Sequence, residues 1–247
     1  MEFLLDPDVV YLNHGSFGAC PSEVFAEYQR LQRRLEAQPV RFLQRERPAL
    51  MASARASLAE YVGAAAGDLA FVPNPTFAVN EIARSLDLGP GDEVLTTNHE
   101  YGACRNVWQS VVERTGCTVV EAPLAITYDS DADLVEAIVA YATSRTKVLF
   151  VSHITSPTAL TFPVAALCAA ARERRLVTIV DGAHAPGQLD LDVGLIGADF
   201  YVGACHKWLC APKGASFLVA ASEAQPLLEP LIVGWGSGPY RTIDVGS

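Results

Sequence analysis

The chain has 247 residues, of which 50% are hydrophobic and 19% are charged, enough to bury a sizeable core. Its net charge of −10 argues against nucleic acids and anionic membrane surfaces as partners, because both repel an acidic protein. No apolar run approaches the roughly 18 residues of a transmembrane helix, and the N-terminus lacks the basic start of a signal peptide. Six cysteines without a C-x-x-C pair indicate reduced thiols in a cytoplasmic protein.

The predicted elements begin with two helices and continue as alternating strands and helices. Pro21 stands near the start of the first helix, over 21–48, and Gly63 ends the second, over 49–63. Seven strands are predicted over 69–74, 92–97, 117–124, 146–153, 176–181, 198–203 and 214–220. Four helices between them are predicted over 76–86, 101–116, 131–143 and 162–175. An Asp caps the third of these helices, and Pro163 lies in the first turn of the fourth.

This alternation indicates the fold class. Strands rich in Val, Ile and Leu that alternate with helices are typical of a parallel sheet covered by helices on both faces. We therefore predict an α/β fold with a mostly parallel, seven-stranded sheet. Residues 1–20 form an N-terminal arm in this prediction and residues 21–247 form one large domain, since no linker or repeat divides them.

Polar residues follow the predicted strands at one edge of the sheet. Ligands of such sheets bind beyond the carboxyl ends of the strands. The stretches found there are NPTFAVN, NHEYGA, HITSPTA, DGAHAPG and ACHKW. All five histidines lie in these stretches or in LNHGSFG near the N-terminus. One such histidine is more often structural, whereas five together favour a binding or catalytic site.

Asp181 and Lys207 stand out among these residues. They are 26 positions apart, and a short crossover between them suits parallel neighbours. Adjacent strands lie about 4.8 Å apart, so both side chains could face one ligand the size of a substituted aromatic ring. An amine that forms an imine and a carboxylate that holds a pyridine nitrogen protonated are what pyridoxal phosphate requires. A turn or cap role for Asp181 and a solvated strand-end position for Lys207 remain the alternatives.

Two further residues fit the same cofactor. Thr76 lies at the start of a predicted helix, where free N–H groups and the helix dipole bind phosphate, although an ordinary N-cap explains an isolated Thr equally well. His99 follows the next strand and offers a flat imidazole that could stack on a ring and shuttle protons.

Several motifs resemble those of one enzyme family. The stretches VDGAHAPG, GACHKWLCAPKG, NHEYGACRNVW and SHITSPTAL resemble the class V aminotransferases, which are pyridoxal-phosphate enzymes of fold type I. The isopenicillin N epimerase-like branch is the most similar in these motifs, near the cysteine desulfurases and C–S lyases. The paired DGAH and HKW motifs are specific, and the resemblance runs from YLNHGSFG to VGWGSG.

The resemblance implies roles around the cofactor ring. Lys207 would be the Schiff-base lysine, and Asp181 would pair with the pyridine nitrogen. His99 would stack on the ring and, with Lys207, act in catalysis. His184 would lie near the phenolic oxygen of the ring, and His153 would make another ring contact.

The resemblance also implies phosphate and substrate contacts. Thr76 and the amide of Phe77 would hold the phosphate, assisted by His206. Ala204 replaces the small polar phosphate ligand usual in the family, which weakens this site. The residues expected to contact the substrate are Asn13, His14, Gly15 and Tyr101.

The C-terminal end departs from the family pattern. The sequence given stops at GPYRTIDVGS, whereas the resemblance implies a further small domain that supplies a substrate-binding arginine. We therefore expect the small domain to be missing and the pyridoxal-phosphate-binding large domain, 21–247, to be truncated before it. Arg241 is one arginine in this Gly-rich tail. The family pattern also implies a homodimer for the full-length protein.

The function predicted from these features is pyridoxal-phosphate chemistry at the α and β carbons of an amino acid, by epimerisation or C–S cleavage. A cysteine desulfurase is an alternative, but its nucleophilic cysteine would lie beyond residue 247. A non-catalytic remnant of the family is another. A metal hydrolase is disfavoured, because HEYGA lacks the second histidine of a zincin helix, and no metal is predicted.

Overall fold

The computed structural model describes residues 2–233, and its sheet strands fall in the seven apolar segments that the sequence predicts. Arg241 and the rest of the C-terminal tail lie outside these described residues. The strands are β1 Leu69–Val72, β2 Glu93–Thr97, β3 Thr118–Ala122, β4 Thr146–Ser152, β5 Val177–Asp181, β6 Phe200–Ala204 and β7 Ser216–Ala220.

The strands form one sheet in the order β1-β7-β6-β5-β4-β2-β3. The pairs from β6 to β3 are parallel, and β7 runs antiparallel to both β6 and β1. The prediction of a mostly parallel sheet is therefore confirmed. Strands β5 and β6 are neighbours, with Asp181 beside Val202, so the carboxyl ends that carry the expected acid and amine lie side by side.

Helices cover both faces of the sheet, as predicted. The helices are α1 Ser22–Ala37, α2 Pro39–Arg41, α3 Arg47–Val62, α4 Pro75–Ser85, α5 Gly102–Thr115, α6 Asp131–Val139, α7 Val164–Glu173 and α8 Val193–Ile196. Helices α4 and α5 pack on one face, against side chains such as Phe150 and Ile179. Helices α3, α6 and α7 pack on the other face, against side chains such as Leu149 and Val180. Alternate residues of each strand thus enter opposite core layers.

The helix ends refine the sequence predictions. The predicted helix over 21–48 is broken after Ala37, because Pro39 has no N–H to donate and its ring crowds the preceding turn. Gly63 ends α3 in the left-handed conformation, with φ 65°, as predicted. Helix α6 is capped by Ser130 and not by an Asp: the Ser130 hydroxyl accepts the N–H of Asp133 at 3.2 Å. None of the helices within residues 2–233 has the length and hydropathy needed to cross a bilayer.

Candidate active site

A cavity of about 930 Å³ lies at the carboxyl edge of the central strands. Its floor is formed by Ser152 at the end of β4, Asp181 at the end of β5 and the segment after β6. The N-terminal arm and the start of α4 form its walls. The residues predicted from sequence that line this cavity are Asn13, Gly15, Thr76, Tyr101, Asp181, His184, His206 and Lys207.

Asp181 places a buried carboxyl group in the cavity floor. The residue is 5% exposed, and burial raises the pKa of its carboxyl group. Its Oδ1 accepts the N–H of Ala183 at 3.0 Å, and its Oδ2 accepts the thiol of Cys104 at 3.4 Å. A thiol is a weak donor, so the ionised carboxylate is stabilised further by any N–H donor or cation that enters the cavity.

Lys207 places an amine in the same cavity from the loop that follows β6. Its Nζ lies 3.1 Å from His184 Nε2 and 5.7 Å from the centre of the Tyr101 ring. Burial lowers the pKa of this amine, and the negative charge of Asp181 opposes the shift only in part. A lowered pKa raises the uncharged, nucleophilic fraction of the amine near neutral pH.

His184 connects Lys207 to a neighbouring tryptophan. The indole Nε1–H of Trp208 donates to His184 Nδ1 at 3.2 Å, and His184 Nε2 faces the lysine. Burial, and secondly the charge of Lys207, lowers the pKa of His184 to about 4. The imidazole is therefore uncharged at neutral pH.

Two of the predicted ring contacts, His99 and His153, are buried but are not among the residues that line the cavity. His99 Nδ1 lies 2.9 Å from the Thr158 hydroxyl, and Nε2 donates to the Leu124 carbonyl at 3.1 Å. Both ring nitrogens are thus engaged by the protein, and the stacking and proton-shuttle roles of His99 stay predictions. His153 Nδ1 lies 2.9 Å from the Tyr201 hydroxyl, and burial lowers the pKa of His153 to about 4.

The N-terminal arm closes over the loop that carries the lysine. The N–H of Gly18 donates to the carbonyl of His206 at 3.0 Å, and a Cβ built on Gly18 would overlap the His206 and Lys207 carbonyl oxygens. Only glycine allows this close approach. His14, expected at the substrate, does not line the cavity; its Nδ1 accepts the N–H of Ala19 at 3.3 Å and so stabilises the arm itself.

The predicted phosphate contacts are only partly available. Asn74 caps α4, and its side chain accepts the N–H of Phe77 at 2.8 Å. The Phe77 amide, predicted to hold the phosphate, donates to the helix cap in this structure. Thr76 and His206 line the cavity, and His206 Nδ1 donates to the Ala215 carbonyl at 3.0 Å, which leaves Nε2 for a ligand.

Comparison with known proteins identifies the family of this chain. The family model Aminotransferase class-V matches residues 10–239. The chain belongs to the class V aminotransferase family. It is 44% identical to an isopenicillin N epimerase of Streptomyces clavuligerus over 98% of this chain and 63% of that protein, and 42% identical to an isopenicillin N epimerase of Amycolatopsis lactamdurans over 95% of this chain and 60% of that protein.

Solved structures of similar proteins share the fold. A complex of the cystine C–S lyase C-DES with its reaction product cysteine persulfide is 25% identical, with a TM-score of 0.86, over 93% of this chain and 61% of that one. A C-DES mutant with glycine covalently linked to the PLP cofactor has a TM-score of 0.84. The chain thus spans about 60% of the length of the relatives it matches. The sequence prediction of a class V aminotransferase with the fold-type-I architecture is confirmed.

Residues that the sequence-based prediction missed also shape the class V site. Glu100 is buried, and its carboxyl oxygens accept the hydroxyls of Thr97 at 2.7 Å and Ser152 at 2.6 Å. Burial raises the pKa of Glu100 to about 8, with a smaller contribution from the nearby Asp181. Trp208 belongs to the HKW motif, in which no separate role was predicted for it, and Glu100 directly follows His99.

Proposed function

We propose that this chain is the cofactor-binding part of a pyridoxal-phosphate enzyme that acts at the α and β carbons of an amino acid. The observation that carries the proposal is a buried carboxyl group, Asp181, and a lysine of lowered pKa, Lys207, that face one cavity from neighbouring strand ends. The names of its relatives support it, since they include epimerases, a C–S lyase and a structure that holds the PLP cofactor.

The side chains present fit this cofactor. Among the described residues, Asp181 has an amide and a thiol as its donors, so a protonated pyridine nitrogen would supply a stronger partner for its carboxylate. Lys207 would bind the aldehyde carbon, and Thr76 and His206 would hold the phosphate near the start of α4. His184, which lines the same cavity, would border the ring.

Each residue would have a defined task in the reaction. When bound, pyridoxal phosphate supplies an aldehyde for amines and a ring that accepts electrons from the substrate. Lys207 takes up and returns a proton at Nζ, and burial favours the uncharged form of this amine by lowering its pKa. Asp181, as a carboxylate, holds a proton on the facing nitrogen. Leu12 and Phe17 of the N-terminal arm line the cavity and would contact the substrate there.

Epimerisation and C–S cleavage share the removal of the α proton and differ in the next step. An epimerase returns a proton to the α carbon, whereas a lyase expels a group from the β carbon. Both activities are proposed for the complete protein, of which this chain is about 60% of the length by comparison with its relatives. Exchange of the α hydrogen in D₂O without release of sulfide or persulfide supports epimerisation. Release of sulfide from cysteine, or of cysteine persulfide from cystine, supports cleavage.

The experiment that tests the cofactor site uses the chain itself. The purified protein is incubated with pyridoxal phosphate, its visible spectrum is recorded, and the adduct is reduced with borohydride and located by mass spectrometry. We expect a yellow adduct on Lys207, retained in Lys213→Ala and lost in Lys207→Ala. A colourless protein, or a label confined to the exposed Lys147 or Lys213, contradicts the proposal.

The division of the chain is part of the same proposal. Residues 1–20 serve as an arm that lines the substrate side, and residues 21–247 belong to the cofactor-binding domain. The cavity contacts of Asn13 and Gly15 support this role for the arm. We propose a homodimer for the complete protein as well, which the exposed apolar side chains of Val24 and Tyr28 on α1 favour. Analytical ultracentrifugation measures that assembly.

A further inference from the structure

Three side chains, Trp208, His184 and Lys207, form a chain of hydrogen bonds whose directions can be assigned. An indole N–H can only donate. His184 Nδ1, at 3.2 Å from Trp208 Nε1, must therefore be an acceptor without a proton. A neutral imidazole carries one proton, so that proton lies on Nε2, which faces Lys207 Nζ at 3.1 Å.

The charge states agree with this assignment. The pKa of His184 is lowered to about 4 by burial, so the ring is neutral around pH 7. An ammonium group on Lys207 would set one N–H donor against another across the 3.1 Å contact. The uncharged amine instead accepts the Nε2–H through its lone pair, and burial favours this form by lowering the pKa of Lys207.

We infer that Trp208 is a positioning residue: its indole N–H fixes the tautomer of His184 in which Nε2–H donates to Lys207 Nζ, and so keeps that amine uncharged and its lone pair in a fixed direction. The use of the amine as a nucleophile and base rests on the proposed function, whereas the tautomer does not. Loss of the indole N–H frees His184 to move its proton to Nδ1, accept from an ammonium group and stabilise the charged lysine.

Packing holds the indole in place for this task. A Cβ on Gly15 would lie 3.0 Å from Trp208 Cζ2 and 3.4 Å from His184 Cε1, so the N-terminal arm packs directly on the pair. Gly187 has φ 87°, and a Cβ there would lie 2.7 Å from the Trp208 backbone. The pair is therefore confined from two sides.

A substitution of Trp208 leaves in place the other side chains that affect the charge of Lys207. Asp181 on β5 and Cys104 on α5 raise its pKa electrostatically, and the Tyr101 ring lies 5.7 Å from Nζ. A change in the titration of Lys207 on removal of the indole N–H therefore reports on the path through His184.

The first test measures the tautomer in the wild-type chain without cofactor. Nitrogen-15 NMR separates a protonated from an unprotonated imidazole nitrogen, and the signals of His184 are those lost in His184→Gln. We expect an unprotonated Nδ1 and a protonated Nε2 at pH 7. The opposite tautomer, or an imidazolium, overturns the inference, and this measurement decides the matter even when a Trp208 variant does not fold.

The second test compares Trp208→Phe with Trp108→Phe. Trp108 is a buried residue of α5, 2% exposed, and its Nε1 has no partner among the described residues. Its replacement therefore removes an indole N–H that is not bonded to His184. Each variant is methylated with formaldehyde and a reducing agent near pH 7, and labelling of Lys207 is normalised to the exposed Lys147.

We expect labelling of Lys207 to fall about tenfold in Trp208→Phe, the effect of about one charge-assisted hydrogen bond, and His184 to lose its single tautomer. Trp108→Phe should leave both unchanged. Unchanged labelling and tautomer in a folded Trp208→Phe overturn the inference. A chain with the expected tautomer that captures no pyridoxal phosphate contradicts only the proposed function, and a yellow chain with the wrong tautomer contradicts only this inference.

Discussion

The buried Glu100 makes a sharp prediction about stability and pH. Its pKa in the folded chain is raised by burial to about 8, against an ordinary value of 4.5. The folded state therefore binds a proton that the unfolded state releases between these two pH values. Stability supplied by the protonated carboxyl is complete below about pH 4.5 and is lost as the pH rises through about 8.

The size of the effect follows from the two pKa values. One pKa unit corresponds to about 1.4 kcal/mol. Raising the pH from about 5.5 to about 8.5 therefore lowers the free energy of unfolding by about 3 kcal/mol through the ionisation of Glu100. Glu100→Gln removes the titrating group. The amide keeps the shape of the side chain, and its oxygen and NH₂ can bond the hydroxyls of Thr97 and Ser152, which now contact the carboxyl group.

The assay is urea denaturation of the wild type and Glu100→Gln at about pH 5.5 and about pH 8.5, without cofactor. Groups such as His153 and His184 also titrate, but they do so in both proteins, so the difference between the two curves isolates Glu100. Between the two pH values, we expect the free energy of unfolding of the wild type to fall by about 3 kcal/mol more than that of the variant. Parallel pH dependence in the two proteins would refute the reasoning.

Two further predictions concern the floor of the cavity. In Gly182→Ala the new methyl group would overlap the ring of the fully buried Tyr201, and we expect the free energy of unfolding to fall by about 1–3 kcal/mol. Gly102→Ala, whose Cβ meets nothing, is the control, and equal urea midpoints in the two variants would count against the packing argument. Asp181→Asn should weaken pyridoxal phosphate binding about tenfold, because an amide carries no charge to hold a pyridinium. Borohydride labelling of Lys207 should persist in this variant. An unchanged affinity in a spectroscopic titration would speak against the role of Asp181.

The location of the site could be predicted because parallel strands bring their carboxyl ends to one edge. Asp181 ends β5 and Lys207 follows β6, and the order of strands and helices in the sequence was sufficient to place both near one ligand. The antiparallel β7 was not predicted. The loop between β6 and β7 is shorter than the dozen residues that a parallel crossover needs. The short spacing of the two predicted strands therefore already indicated an antiparallel β7.

The histidine contacts could not be predicted, because they depend on strand register at single-residue precision. Ser152 pairs with Asp181 across β4 and β5, and both line the cavity. His153 comes one residue later, where the side chain points the other way, and it contacts Tyr201. The sequence pattern favoured the titratable His153 over the small Ser152, which occupies the equivalent position to Asp181.

The pairing of β1 with β7 has a consequence for how the chain folds. Leu69 pairs with Val219 across 150 residues, and the Gly18 amide joins the His206 carbonyl across an even longer stretch. Contacts between such distant parts of the chain carry a large loop-closure entropy and slow folding. During synthesis on the ribosome, β1 cannot pair with β7 until β7 has emerged, so β1 stays unpaired for most of translation. The arm can close over Lys207 only after nearly all the described residues have been synthesised, which makes the cavity a late product of folding.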